Sequence, residues 1–176
     1  CSIREFTPRE VTSTEGETLL DAAVQAPSHG LTQPWRFYVL GPEARRGLGA
    51  ALGNRKARKL DDPAAGDAVR QKTADEHAAL PAIVVVAVVL SDNPEIREED
   101  YAAGMMAVQN LCLAGVELGL GTQVKTGAIM DDPVARAAIG VADGARVIAM
   151  VNVGEPAELP PVKARQPASS LTRWVP

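Results

Sequence analysis

Ile83-Val84-Val85-Val86-Ala87-Val88-Val89-Leu90 is an unbroken apolar, mostly β-branched run with no polar alternation. A half-buried strand alternates polar and apolar side chains, so this pattern predicts a central strand covered on both faces. The covering layers lie on either side of it in sequence. Downstream, from Glu98 to Leu118, small and apolar residues from Ala102 to Val116 surround the whole helical circumference. They predict a helix buried on all sides, either as the core of the domain alone or, since its small residues permit close helix-to-helix contact, as a dimer seam. Gly119 and Gly121 end it.

Upstream, Trp35-Arg36-Phe37-Tyr38-Val39-Leu40 is β-rich and follows Pro27-Ser28-His29-Gly30-Leu31-Thr32-Gln33-Pro34, which holds too many turn formers to be regular. Ser13 and Thr14, with Glu17 three residues after Thr14, form a capping box before a helix over about 15–25. A second helix opens at Gly41-Pro42-Glu43 and runs to about Leu52. From Asn54 to His77 basic residues give way to acidic ones, predicting an exposed, partly helical and mobile stretch with His77 on a solvated face or in a lid. A strand at 123–126, a helix from Asp131 to about Ile139 and a strand at 145–153 complete the pattern. From Glu155 onward there are five prolines and no period, so this tail is disordered or wraps a partner subunit. No internal repeat or linker breaks the chain, so one α/β or α+β domain over residues 1–176 is expected.

Composition narrows the function. The chain has 176 residues, and 18 Lys and Arg against 22 Asp and Glu give a net charge of -4, the opposite of a nucleic-acid binder's basic footprint. With two cysteines and two histidines no four-ligand zinc spacing exists, and a reducing, cytoplasmic setting is expected. The uncharged run from Tyr101 to Val116 is shorter than the roughly 20 residues a bilayer crossing needs, so no membrane span is expected. No signal peptide is visible, and Cys1 is not an initiating residue, so the natural chain is expected to continue upstream.

Familiar chemical motifs are absent: no G-x-G-x-x-G after a strand, no Walker loop, no H-E-x-x-H, no G-x-S-x-G and no C-x-x-C. Three places pair a basic residue with a neighbour suited to holding a phosphate: Ser2 with Arg4, Lys125 with Thr126, and Lys163 with Arg165. Taken singly, each reads as a solvated surface group. His29 either hydrogen-bonds loop carbonyls or contacts a ligand. Trp35 reads as a core anchor and Cys112 as a small buried hydrophobe.

A set of short pieces is more specific than any one of them. These are Ser-Ile-Arg-Glu-Phe at 2–6, Ala-Pro-Ser-His-Gly-Leu-Thr-Gln-Pro-Trp-Arg-Phe at 26–37, Glu-Glu-Asp-Tyr-Ala-Ala at 98–103 and Gln-Asn-Leu at 109–111. Gly-Leu-Gly-Thr at 119–122, Thr-Gly at 126–127, Val-Gly-Glu-Pro at 153–156 and Lys-Ala-Arg at 163–165 follow in order. Together they resemble the nitroreductase family of FMN-dependent NAD(P)H oxidoreductases, most closely its short YdjA-like members.

The resemblance implies an α+β sandwich around a mixed β-sheet flanked by helices, a homodimer, and FMN at the subunit interface. It implies that Cys1, Ser2, Arg4, Lys163 and Arg165 meet the cofactor, largely at its phosphate. Gln25, Pro27, Ser28 and His29 would contact it from one subunit, and Val124, Lys125, Thr126 and Gly127 from the other, with the Thr126 N–H near the reactive ring nitrogen. No side-chain acid or base and no metal is implied. Two departures stand out, Cys1 where the family has Arg and Leu31 where Asn is common. The activity implied is ping-pong transfer of hydride from NAD(P)H to a small nitroaromatic or quinone-like acceptor. The alternative is a flavin-binding or flavin-storage protein without NAD(P)H turnover.

Overall fold

The structure, a computed structural model, describes residues 2–176. Four strands form one sheet in the order β1 (Trp35–Val39), β2 (Ala82–Val89), β4 (Ala145–Gly154) and β3 (Gly121–Lys125). Five helices accompany them: α1 (Ser13–Ala23), α2 (Pro42–Ala57), α3 (Pro63–Ala78), α4 (Pro94–Glu117) and α5 (Pro133–Ile139). Every pairing among the described residues is antiparallel, with Trp35 opposite Val88, Ala82 opposite Val153, and Gly121 opposite Gly154. The mixed sheet expected from the resemblance is therefore corrected. β1 and β4 run one way and β2 and β3 the other, and the strand order interleaves them so that no parallel pair is adjacent.

The unbroken apolar run of β2 is explained by the two layers that it separates. Val84, Val86 and Val88 face α1 and α4, in a core with Leu19, Ala23, Ala107, Leu111 and Ile148. Ile83, Val85 and Ala87 face α2 and α5, in a second core with Leu48, Ala51, Ala135, Ile139 and Met150. Successive side chains on a strand point to opposite faces, so both sets must be apolar. Trp35 belongs to the first core, as expected of an anchor.

Helix starts follow local chemistry. α2, α3, α4 and α5 each open with Pro in the first turn, where a missing N–H costs nothing. Asp62, Asn93 and Asp132 cap the last three by accepting first-turn N–H groups. The capping box of α1 is Thr12 with Glu15, two residues before the pair expected from sequence, and the helix ends at Ala23. Glu15 wins because Arg9 also holds its carboxylate, at 3.0 Å.

The charged stretch 54–77 is largely exposed, as expected, and more fully helical than expected: α2 continues to Ala57 and α3 packs antiparallel against it. Gly49 and Gly53 make the approach possible, since a Cβ on them would stand 2.7 Å from the Thr73 carbonyl and 2.8 Å from the Arg70 Cα. His77 is buried there, not solvated, and its Nδ1 lies 2.8 Å from the Thr73 carbonyl oxygen. Nor is α4 buried all round within one chain. Ala103, Gly104, Ala107, Val108, Leu111 and Gly115 face inward, whereas Leu113 (59% exposed) and Val116 (72%) form part of an outward apolar face.

Candidate functional site

The two ends of the chain are clipped together beside β3. Ile3 N–H donates to the Thr122 carbonyl at 3.0 Å, Thr7 N–H to that of Glu155 at 2.9 Å, and Ala157 N–H to that of Glu5 at 3.0 Å. Beyond Ala157 the tail follows the surface with only one short 3-10 turn, Ala168–Ser170. This clip brings Ser2 and Arg4 to Lys163 and Arg165, and the four line a cavity of about 570 Å³ with Glu5 and Glu158 among its walls. Two of the three basic pairs read from sequence thus converge on one place. Cys1 lies outside the described residues.

Ser2 and Arg165 also border a second cleft, of about 800 Å³. Its other walls, mostly apolar, include Cys112, Leu113 and Val116 at the end of α4, Thr122 and Val124 of β3, and Leu159 of the tail. A cationic recess therefore opens directly onto an apolar one. Cys112 is no nucleophile in it, because burial pushes its thiol above the ordinary value. The sequence reading missed the α4 wall, since Leu113 and Val116 look like ordinary members of a buried helix.

The strip 124–127 is divided by strand alternation. Val124, opposite Val151, turns to the α4 side and enters the cleft, while Lys125, opposite Met150, turns to the side covered by α2. Burial, reinforced by nearby Lys56, lowers the Lys125 ammonium below its ordinary range. Desolvation likewise lowers His77, whose Nε2 has no hydrogen-bond partner among the described residues. Thr126 and Gly127 follow in an exposed turn where Gly127 takes a φ of 127°, a conformation that favours glycine.

Gln25, Pro27, Ser28 and His29 do not line the cleft. Gln25 donates its N–H to the Ala22 carbonyl, which Asn110 of α4 also holds, and the loop that follows reaches the first turns of α4, where His29 Nδ1 lies 2.8 Å from the Glu99 carboxylate. The cleft lies against the last turns of the same helix. The rise of an α-helix puts roughly 20 Å between those levels, so one chain does not bring all the expected residues together. Within the loop Leu31 and Gln33 have φ of 53° and 45°, left-handed values that side chains other than glycine rarely adopt. Thr32 and Asp100, which anchor this loop, were not singled out from sequence. An acidic residue inside a helical apolar period was the one available clue.

Among the described residues no helix is long and apolar enough to cross a membrane, and no cluster of three potential metal ligands occurs.

The fold of this chain, a four-stranded sheet covered by helices on both faces, is shared with solved proteins. A nitroreductase-like family protein from Bacillus cereus superposes with a TM-score of 0.84 over 99% of this chain and 91% of its own, at 28% identity. A Desulfovibrio desulfuricans protein bearing the provisional name nitroreductase, solved in complex with FMN, gives 0.72 over 99% and 91% at 24% identity, a likeness of fold. In sequence, a Bacillus subtilis protein bearing the provisional name NAD(P)H nitroreductase YfhC is 33% identical over 168 residues, 94% of this chain and 85% of its own. The profile of the nitroreductase family matches residues 1–155. The chain belongs to the nitroreductase family, a family of oxidoreductases.

Proposed function

We propose that this chain, as one domain over residues 1–176, is an FMN-dependent oxidoreductase that works as a homodimer. The observation that carries this reading is the junction, at Ser2 and Arg165, of the cationic cavity with the apolar cleft. The donor set fits the cofactor: Arg4, Lys163 and Arg165 supply charge-assisted donors for a phosphate, and Ser2 supplies a hydroxyl. The adjoining apolar walls suit a planar ring. FMN is named in the description of the Desulfovibrio desulfuricans structure, and NAD(P)H in the name of YfhC.

The site is shared between two chains. Val124 and the turn of Lys125, Thr126 and Gly127 come from one copy, and Gln25, Pro27, Ser28 and His29 from the other. This accounts for the separation of those residues along α4, and it gives the outward Leu113 and Val116 face and the apolar tail residues Leu171 and Trp174 a partner. A bound FMN would supply hydride uptake from NAD(P)H and its later delivery to a small electron-poor acceptor, nitroaromatic or quinone-like. The protein's part is to hold the phosphate, to line the ring with Val124, and to aim the Thr126 N–H at it.

The test is the visible spectrum of the FMN-reconstituted protein under argon, before and after NADPH and then NADH. Bound flavin that bleaches within seconds supports the reading and identifies the donor. Bound flavin that stays yellow points instead to flavin storage without NAD(P)H turnover. A colourless protein that takes up no FMN overturns both.

A further inference from the structure

The loop between α1 and β1 hangs on a hydrogen-bond chain that ends at a buried carboxylate. Gln33 N–H donates to Ser28 Oγ at 2.9 Å, Ser28 Oγ lies 3.2 Å from Thr32 Oγ1, and Thr32 Oγ1 donates to Asp100 Oδ1 at 2.7 Å. The other oxygen, Asp100 Oδ2, accepts the Ser91 N–H at 2.9 Å. Asp100 is 3% exposed, although Glu98 and Glu99 beside it face solvent. A buried carboxylate at such a position needs partners, and the two it has are this loop and the segment that follows β2.

The chain has a fixed direction. A hydroxyl has a single proton, and that of Thr32 goes to Asp100, so the proton between the two hydroxyls is that of Ser28. One Ser28 lone pair is already taken by the Gln33 N–H. What remains free on Ser28 is therefore one lone pair and no proton. The chain also encloses Gly30, Leu31 and Gln33, the three left-handed residues in the loop, two of which carry side chains. Strain of this kind persists only where the surroundings hold it.

We propose that Asp100 is a positioning residue for the cofactor site: acting through Thr32, it holds the 28–33 loop in its left-handed form and turns Ser28 so that it offers a lone pair to the ligand. This rests on the flavin reading above, in which Ser28 and His29 contact the cofactor. The ligand group that meets Ser28 is then a hydrogen-bond donor, such as the ring imide N–H of a flavin, and not a phosphate or carbonyl oxygen.

Asp100→Asn is the obvious variant, but a buried substitution risks the fold. Thr32→Val, at an exposed residue and of nearly equal volume, removes only the hydroxyl, and Thr32→Ser restores it. For both, FMN affinity is measured by flavin fluorescence, together with the visible spectrum of the bound flavin and amide exchange at Gln33 without cofactor. Loss of a hydrogen bond to a charged group predicts that Thr32→Val raises the FMN Kd about tenfold, shifts the flavin bands and speeds Gln33 exchange, with Thr32→Ser close to wild type in all three. A Thr32→Val protein with wild-type Kd and spectrum overturns the positioning role, whatever its Tm. Failure of the wild type itself to take up FMN removes the flavin reading, and the proposal falls with it; the two failures are thus told apart by the wild-type titration.

Discussion

His29 Nδ1 stands 2.8 Å from the carboxylate of Glu99, which ties the loop before β1 to the first turns of α4. The hydrogen bond from Glu99, and then its charge, raise the His29 imidazole above its ordinary value of 6.5. For a raised group, the stabilisation is fully present below the ordinary value and is lost as pH climbs through the raised one. The loop is thus tied most firmly in mildly acidic solution. Glu99→Gln is expected to bring the His29 midpoint, read from its ring proton resonances, back down towards the ordinary value. A midpoint that does not move would mean that the pair does not persist in solution.

Arg165, with Ser2, borders both the cationic cavity and the apolar cleft, and of the two it is the one that carries a charge for a phosphate. A hydrogen bond to a charged group contributes about 1.5–3 kcal/mol, so Arg165→Ala should weaken FMN binding by roughly tenfold to a hundredfold. Its side chain is exposed and supports no core contact, so the oligomeric state and the Tm should stay as in wild type. Equilibrium dialysis against FMN decides it, and an unchanged Kd would take Arg165 out of the site.

Gly104 marks the closest approach of α4 to the sheet. A Cβ there would stand 2.5 Å from Val88 Cγ1 and 2.6 Å from Ile148 Cδ1. Both contacts are fully buried side chains in the first core, with little room to yield. Gly104→Ala should therefore destabilise the protein by about 1–3 kcal/mol, despite the helix propensity that alanine gains. Urea unfolding monitored by circular dichroism measures this, and equal or greater stability would mean that the helix shifts freely.

How much of this could be read from sequence depended on whether an environment was local or assembled. The β2 run was legible because burial on both faces leaves no polar position, and the order of the elements followed from turn and cap residues. The 54–77 stretch was legible as exposed and partly helical because its charges lie on outward faces, but its close packing and the burial of His77 were not, since they rest on Gly49 and Gly53, which register as weak helix formers and not as contact points. The meeting of Arg4 with Arg165 was visible only through resemblance, since no local pattern links the two ends of a chain. The role of Asp100 was hidden for a similar reason: its partners, Thr32 and Ser91, come from separate loops.

The outward face at the end of α4 separates a dimer from a monomer. Leu113 and Val116 are exposed in the single chain and line the apolar cleft. A charge placed at Val116 costs the isolated chain little, because the side chain already stands in water. In a dimer that covers this face the same charge is buried without a partner, a penalty of several kcal/mol. Val116→Glu should then shift sedimentation at low micromolar concentration from dimer to monomer with the far-ultraviolet spectrum unchanged. A variant that remains dimeric would place the subunit contact elsewhere.

The start of α1 makes the acid stability testable. Arg9, at 3.0 Å, and then the Thr12 N–H hold the Glu15 carboxyl down to a pKa of about 2, from an ordinary value of 4.5. The group is depressed in the folded state, so its stabilisation is present in full above the ordinary value and is lost as pH falls through about 2. Glu15→Gln can still accept a hydrogen bond but has no charge to lose, so its stability curve should be flatter than that of wild type between those two values. Thr12→Ala removes the other half of the box, at a cost of about 1 kcal/mol that should persist at neutral pH. Thermal unfolding of the three proteins between pH 2 and pH 7 distinguishes the two contributions: parallel curves for wild type and Glu15→Gln would mean that the ion pair with Arg9 contributes nothing, even if the cap itself holds.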